Sequence, residues 1–156
     1  MDEQQQTDTR AIQEALAQPF SREHVKCKPG AISGARALVL WFVDARAVME
    51  RLDSVLGIEN WKDSYTFLDA GAVLCRLAIR LDGEWIVKED VGGASEQPDA
   101  GDRIKAAVSD SLKRAAVHFG VGRFLYSLPL LWAPWDAKAR KFAMVPQLPA
   151  SVVKAA

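Results

Sequence analysis

Ala72-Val-Leu-Cys-Arg-Leu-Ala-Ile-Arg-Leu-Asp82-Gly83-Glu84-Trp-Ile-Val-Lys-Glu-Asp-Val91 reads as two β-strands joined by a two-residue turn. Asp-Gly supplies the positive φ values that such a turn needs, and both flanks are rich in Val, Ile and Leu. The middle of the chain is thereby assigned to an antiparallel hairpin. Gly92-Gly-Ala-Ser-Glu-Gln-Pro98-Asp99 follows as a loop of breakers. It leads into the longest helical pattern, residues 102–119, where Ile104, Val108, Leu112, Ala115 and Phe119 fall in one narrow stripe and Gly120 marks the end.

Upstream, Trp61, Asp63, Tyr65 and Phe67 alternate as a strand over residues 61–68. Residues 36–43, Arg-Ala-Leu-Val-Leu-Trp-Phe-Val, form a buried strand, and Asp44 caps a helix with the apolar stripe Val48, Leu52, Leu56 and a closing Gly57. His24-Val-Lys-Cys-Lys28 is a short strand ended by Pro29-Gly30, and two-residue alternation puts Lys26 and Lys28 on one face. Ile12, Ala15 and Leu16 predict a short helix before Pro19, with Phe20 docking on the body and residues 1–10 as a flexible polar lead. Toward the end, an apolar stretch with Pro129, Pro134 and Pro146 predicts a short edge strand or two. The expected architecture is α+β: a single domain over residues 11–150, with an antiparallel sheet packed by one long helix.

Composition excludes several classes. At 156 residues and 49% hydrophobic content the chain is no disordered linker, and with 20 basic and 20 acidic side chains its formal charge is zero, so no global field names a partner. Cys27 and Cys75 belong to no CxxC, against a disulfide framework or a zinc ribbon. The start is polar and acidic, and no apolar run reaches the roughly 18 residues of a membrane span. The expectation is a soluble cytoplasmic protein with no membrane partner. His24 and His118 have no ligand or carboxylate at metal or triad spacing, and His118 suits the negative end of the long helix. Glu89-Asp90 and Asp82/Glu84 read as turn and edge charges, and Gly120-Val-Gly122-Arg123 follows a helix where a phosphate loop would precede one. No cofactor, metal or catalytic group is indicated, so the chain does not read as an enzyme.

Local charge is uneven. Residues 1–20 carry −3, whereas residues 22–46 (Arg22, Lys26, Lys28, Arg36, Arg46) and residues 101–126 (Arg103, Lys105, Lys113, Arg114, Arg123) each carry +3. Should these basic segments adjoin, their cations with Trp41, Trp61 and Tyr65 would form a basic groove with aromatic lining, suited to single-stranded nucleic acid. The bland readings are a solvated helix face for Lys113, an Asp110–Arg114 ion pair one helical turn apart, and a core or subunit-interface role for Trp41.

The stretch from Ala107 to Tyr126, with its core Ser109-Asp110-x-Leu112-Lys113-Arg114-Ala115 and then Phe119-Gly120, resembles the signature helix of the Rad-fifty-two superfamily of single-strand-annealing proteins. It is most similar to the bacterial DNA damage response A branch and its phage relatives. Glu23-His-Val-Lys-Cys-Lys28, Asp44-Ala-Arg46, Asn60-Trp61 and Val87-Lys-Glu-Asp-Val-Gly92 fall in the expected order, so the resemblance covers about residues 20–130. It implies a β-β-β-α core, a ring-shaped or helical homo-oligomer, and single-stranded DNA held in a basic groove, with duplex DNA bound weakly if at all. It implies annealing without nucleotide hydrolysis, in repair and recombination at the nucleoid. By position it assigns phosphate contacts to Lys28, Lys105, Lys113 and Arg114; the basic neighbours Lys26 and Arg123 complete the candidate DNA-binding set.

Two departures stand out. Val117 occupies a position where many relatives carry a third cation, which Arg103 or Arg123 would have to replace. With the sequence ending at Ala156, the expectation is that the long tail through which larger relatives recruit a recombinase and a single-strand-binding protein is lacking. A protector of single-stranded ends that does not anneal, and an oligomeric module that has lost the groove, remain as alternatives.

Overall fold

The computed structural model describes residues 3–150. In chain order the elements are α1 (Glu3–Ala17), β1 (Val25–Ser33), β2 (Arg36–Val43), α2 (Ala45–Leu56), β3 (Trp61–Phe67), β4 (Val73–Leu81), β5 (Glu84–Gly92), α3 (Ala100–Val117), β6 (Trp132–Asp136) and β7 (Lys141–Phe142). Every strand pairing is antiparallel, and the α+β class expected from the sequence is observed. A single sheet is not. The strands form a three-stranded sheet, β3-β4-β5, and a four-stranded sheet, β1-β2-β6-β7. They belong to two compact units, one formed by the residues up to Gln18 with Asp44–Arg123, the other by Pro19–Val43 with the residues from Phe124 on.

In the first unit the hairpin forms as its sequence requires. Leu81 pairs with Glu84 across Asp82 (φ 51°) and Gly83 (φ 82°), and the register runs unbroken to Val73 opposite Gly92. The alternate residues Val73, Cys75, Leu77 and Ile79 of the central strand β4 are buried. Helix α3 packs on β4 and β5. Its buried face is Ala107, Ser111, Leu112, Ala115 and Ala116, so the expected stripe is displaced: Leu112, Ala115 and Phe119 are buried, but Ile104 is 52% exposed and Val108 is half-buried. The cause is close approach. A Cβ on Gly92 would run into the Ala107 carbonyl oxygen and lie 2.6 Å from the Ser111 nitrogen, so only small side chains fit between this helix and the strand end.

Asp99 caps α3 by accepting the Asp102 N–H at 3.0 Å. Gly120, at φ +99°, turns the chain out of the helix as expected, and the Val121 N–H closes on the Ala116 carbonyl at 3.2 Å. Gly57 likewise ends α2, but Asp44 precedes that helix without a side-chain cap. The Arg51 guanidinium of α2 donates to the carbonyls of Ala15, Leu16 and Gln18, binding α2 to the end of α1. Of the expected flexible lead, residues 1 and 2 lie outside the described residues, and from Glu3 the chain is helical; the run Glu3 to Gln6 consists of good helix formers.

In the second unit β1 does not stop at Pro29-Gly30. It continues to Ser33, with a register irregularity between Pro29 and Ile32 that accommodates the residue without an N–H. The turn comes at Gly34, φ +59°. The expected short edge strands are β6, paired to β2, and the two-residue β7. Phe20 is buried, its ring 6.3 Å from that of Phe124.

Candidate nucleic-acid interface

The second unit presents a basic strand face. Lys26 and Lys28 are exposed on the same side of β1, as alternation requires, opposite Phe42 and Leu40 of β2. The Lys28 Nζ stands 5.5 Å from the centre of the Phe42 ring. Cys27 and its cross-strand partner Trp41 occupy the other face of the hairpin, and the Trp41 indole nitrogen is buried without a hydrogen-bond partner. The aromatic companion of these lysines is therefore Phe42 and not Trp41. Two-residue counting along β2 from Leu40 is the signal that finds it.

The first unit carries the remaining candidate cations on and beside α3. Lys105 is exposed and 3.8 Å from Asp102, a surface pair of little energetic weight. Lys113 is half-buried and Arg114 exposed. Arg114 does not pair with Asp110: its Nε reaches Asp90 Oδ1 on β5 at 3.3 Å, while Asp110 accepts the Gly93 N–H at 3.3 Å. Because α3 lies on the face of β5 that carries Asp90, position 114 meets the strand before it meets its own preceding turn. His118 joins the same carboxylate, Nε2 to Oδ2 at 3.0 Å. Asp90 is thus no solvated edge charge. Burial raises its pKa, but hydrogen bonds from the Val91 N–H and His118, and the charge and hydrogen bond of Arg114, outweigh burial and hold it below the ordinary aspartate value.

Two further arginines serve the ends of α3. Arg123 donates to the carbonyls of Val117 and His118 at 2.8–3.1 Å, closing the C-terminus, and Arg103 donates to Gln97 and Pro98 in the loop ahead of the helix. At 100° per residue Lys105 and Lys113 lie about 80° apart, while Arg103 and Arg114 share another side. The helix therefore spreads its cations around its surface.

The remaining candidate aromatics are tied down. The Trp61 indole donates to Asp53 at 2.7 Å and the Tyr65 hydroxyl to Asp63 at 2.6 Å. Burial, then the Asp63 hydrogen bond and charge, and then neighbouring Cys75 push the Tyr65 pKa far up. Burial and the Asp63 charge raise Cys75 to about 11 against an opposing hydrogen bond from Tyr65. A basic aromatic cluster that sequence reasoning missed lies on the other side of β3-β4-β5. There Lys62 stands 4.1 Å and Arg80 5.5 Å from the Trp85 ring, and Arg76 pairs with Glu89 at 2.9 Å. Only the register of three strands brings these residues together. Among the described residues no group of three or more His, Cys, Asp or Glu side chains could hold a metal ion, and no helix is long and apolar enough to cross a membrane.

Residues 8–143 match the family described as Rad52/22 family double-strand break repair protein. Two relatives share 41% identity with the chain, each across 88% of its length: the single-stranded DNA-binding protein DdrA of Deinococcus radiodurans, over 140 residues, and that of Deinococcus deserti, over 143. The chain spans 65% of the first relative's length and 68% of the second's. The matched region contains both sheets and the whole of α3, the helix carrying the Lys113-Arg114 pair, and by that match and these relatives the chain belongs to the Rad52/22 family.

Proposed function

We propose that this chain binds single-stranded DNA through its phosphates and anneals complementary strands without nucleotide hydrolysis, working as a homo-oligomeric ring in DNA repair and recombination. The observation that carries the reading is the Lys113-Arg114 pair on α3, with the guanidinium steered by a carboxylate from the neighbouring strand. Cations so placed fix a phosphate backbone without reading sequence. Lys105 adds charge on the same helix, Lys26 and Lys28 supply a strand-borne patch in the second unit, and Arg123 adds to the local field while holding the helix end. Bases facing away from such contacts sample a complementary strand, so annealing needs only an extended, charge-neutralised template.

Two complementary oligonucleotides carrying a fluorophore and a quencher test this, mixed with and without protein, no nucleotide added, at two salt concentrations. The expected result is faster pairing that fades at high salt; unchanged pairing and no binding overturn the reading. A second reading, a protein that coats single-stranded ends without annealing, is favoured by the relatives' name, which specifies binding alone. Salt-sensitive binding with no acceleration of pairing selects it.

A further inference from the structure

We propose that Asp90 is the positioning residue of the α3 patch and that it makes His118 a second, proton-dependent phosphate contact beside Arg114. The inference rests on the reading that α3 contacts single-stranded DNA. The two oxygens of one carboxylate each hold a different side chain: Oδ1 the Nε of Arg114 on α3, Oδ2 the Nε2 of His118 at the C-cap of that helix. Residues 114 and 118 are one helical turn apart, so a single carboxylate on β5 sets both side by side. Asp90 is itself fixed, accepting its neighbour's Val91 N–H at 2.7 Å. Its side chain is 26% exposed against 47% and 44% for Arg114 and His118, so the carboxylate lies beneath and the two nitrogen bases lie above it. The hydrogen bond from Arg114 uses Nε, so the two Nη groups are not committed to Asp90.

Other charged groups lie on the elements packed around this cluster. On β5, Lys88 stands 6.0 Å from the Phe119 ring, and on β4 the register partner of Asp90 is the buried thiol Cys75. Arg123 bonds the His118 carbonyl. On α2, Arg51 is bound to α1 and Asp53 to Trp61; the turn Asp69–Gly71 also packs against α3 and brings Asp69. Among these, the carboxylate in hydrogen bond with His118 is Asp90. With a neutral imidazole, Asp90 and Arg114 cancel; an imidazolium leaves the cluster with one positive charge to offer a phosphate. Imidazole is the side chain whose ordinary protonation falls between pH 5 and 8.

The test is binding of a fluorescent oligothymidylate to wild-type protein, His118→Gln and Asp90→Asn at about pH 5.5 and about pH 8, each over a salt series. Wild type is expected to bind more tightly at the lower pH, with a salt slope steeper by about 0.7, the value of one added phosphate contact on a single strand. His118→Gln keeps a polar side chain beside Asp90 but gains no proton, and is expected to lose the steepening between the two pH values. Asp90→Asn makes the site one charge more positive, so bare electrostatics would raise affinity; positioning requires a several-fold fall. A His118→Gln protein that steepens like wild type, or an Asp90→Asn protein that binds more tightly, overturns the proposal. If Asp90→Asn does not fold, the His118→Gln comparison still decides. Absence of binding at both pH values defeats the single-strand reading itself, whereas binding that ignores pH defeats only this inference.

Discussion

The hairpin β4-β5 with its helix and the hairpin β1-β2 are similar in length, yet they solve different problems. In the first, alternate residues of β4 are buried, α3 comes down onto the strand end at Gly92, and the polar groups at the contact are held in fixed geometry: Arg114 and His118 on Asp90, Arg123 on two carbonyls. In the second, the strand face is open enough for Lys26 and Lys28 to be exposed beside a partly exposed Leu40 and the Phe42 ring. The difference teaches how a cation is aimed. For Arg114 the aim comes from a carboxylate on another element; for Lys28 it comes from strand alternation and the Phe42 ring on the neighbouring strand.

The largest effect expected on this comparison is in the packed half. Leu112→Ala, at a buried α3 position 2% exposed, should cost about 3 kcal/mol in denaturant unfolding, from lost transfer energy and the cavity left behind. Next is Gly92→Ala, which forces α3 and β5 apart and should cost about 2 kcal/mol. Gly34→Ala in the open hairpin meets no neighbouring atom and should cost only the left-handed backbone strain, about 1 kcal/mol. Equal losses at the two glycines would erase the distinction between a close approach and a turn.

The binding effects fall below the Gly92→Ala cost. The Lys113→Ala/Arg114→Ala double variant should weaken oligonucleotide binding about tenfold and flatten the salt slope by about 1.4, two phosphate contacts' worth, with the light-scattering mass unchanged. Lys28→Ala should flatten it by about 0.7, with a loss of a few-fold. A Lys28 effect larger than that of the helix pair would reverse the ranking of the helix over the strand. The smallest effect concerns acid. Because the folded state lowers the Asp90 pKa, that carboxylate contributes stability above the ordinary aspartate value of about 3.9, and the contribution is lost as pH falls through the lower folded value. Thermal unfolding between about pH 5 and pH 2.5 should therefore fall less steeply for Asp90→Asn than for wild type.

Much of this was legible in the chain itself. Asp82-Gly83 specifies its turn because few other dipeptides tolerate two positive φ values, and Lys26 and Lys28 share a face because a strand alternates. Gly57 and Gly120 end their helices because the left-handed position costs glycine nothing. These are local rules, satisfied by residues a few positions apart. The partner of Arg114 was not legible. Asp110 and Asp90 are equally good carboxylates, and only the seating of α3 on β5, through a contact that admits no side chain at Gly92, decides between them. The displaced helix stripe has the same origin, as does the gathering of Lys62, Arg80 and Trp85 from three strands. The sequence determined most of the elements, the Asp82-Gly83 turn and the cations they carry; the tertiary structure decided which charges meet, because ion pairs and ring contacts form over a few ångströms of space that chain distance does not encode.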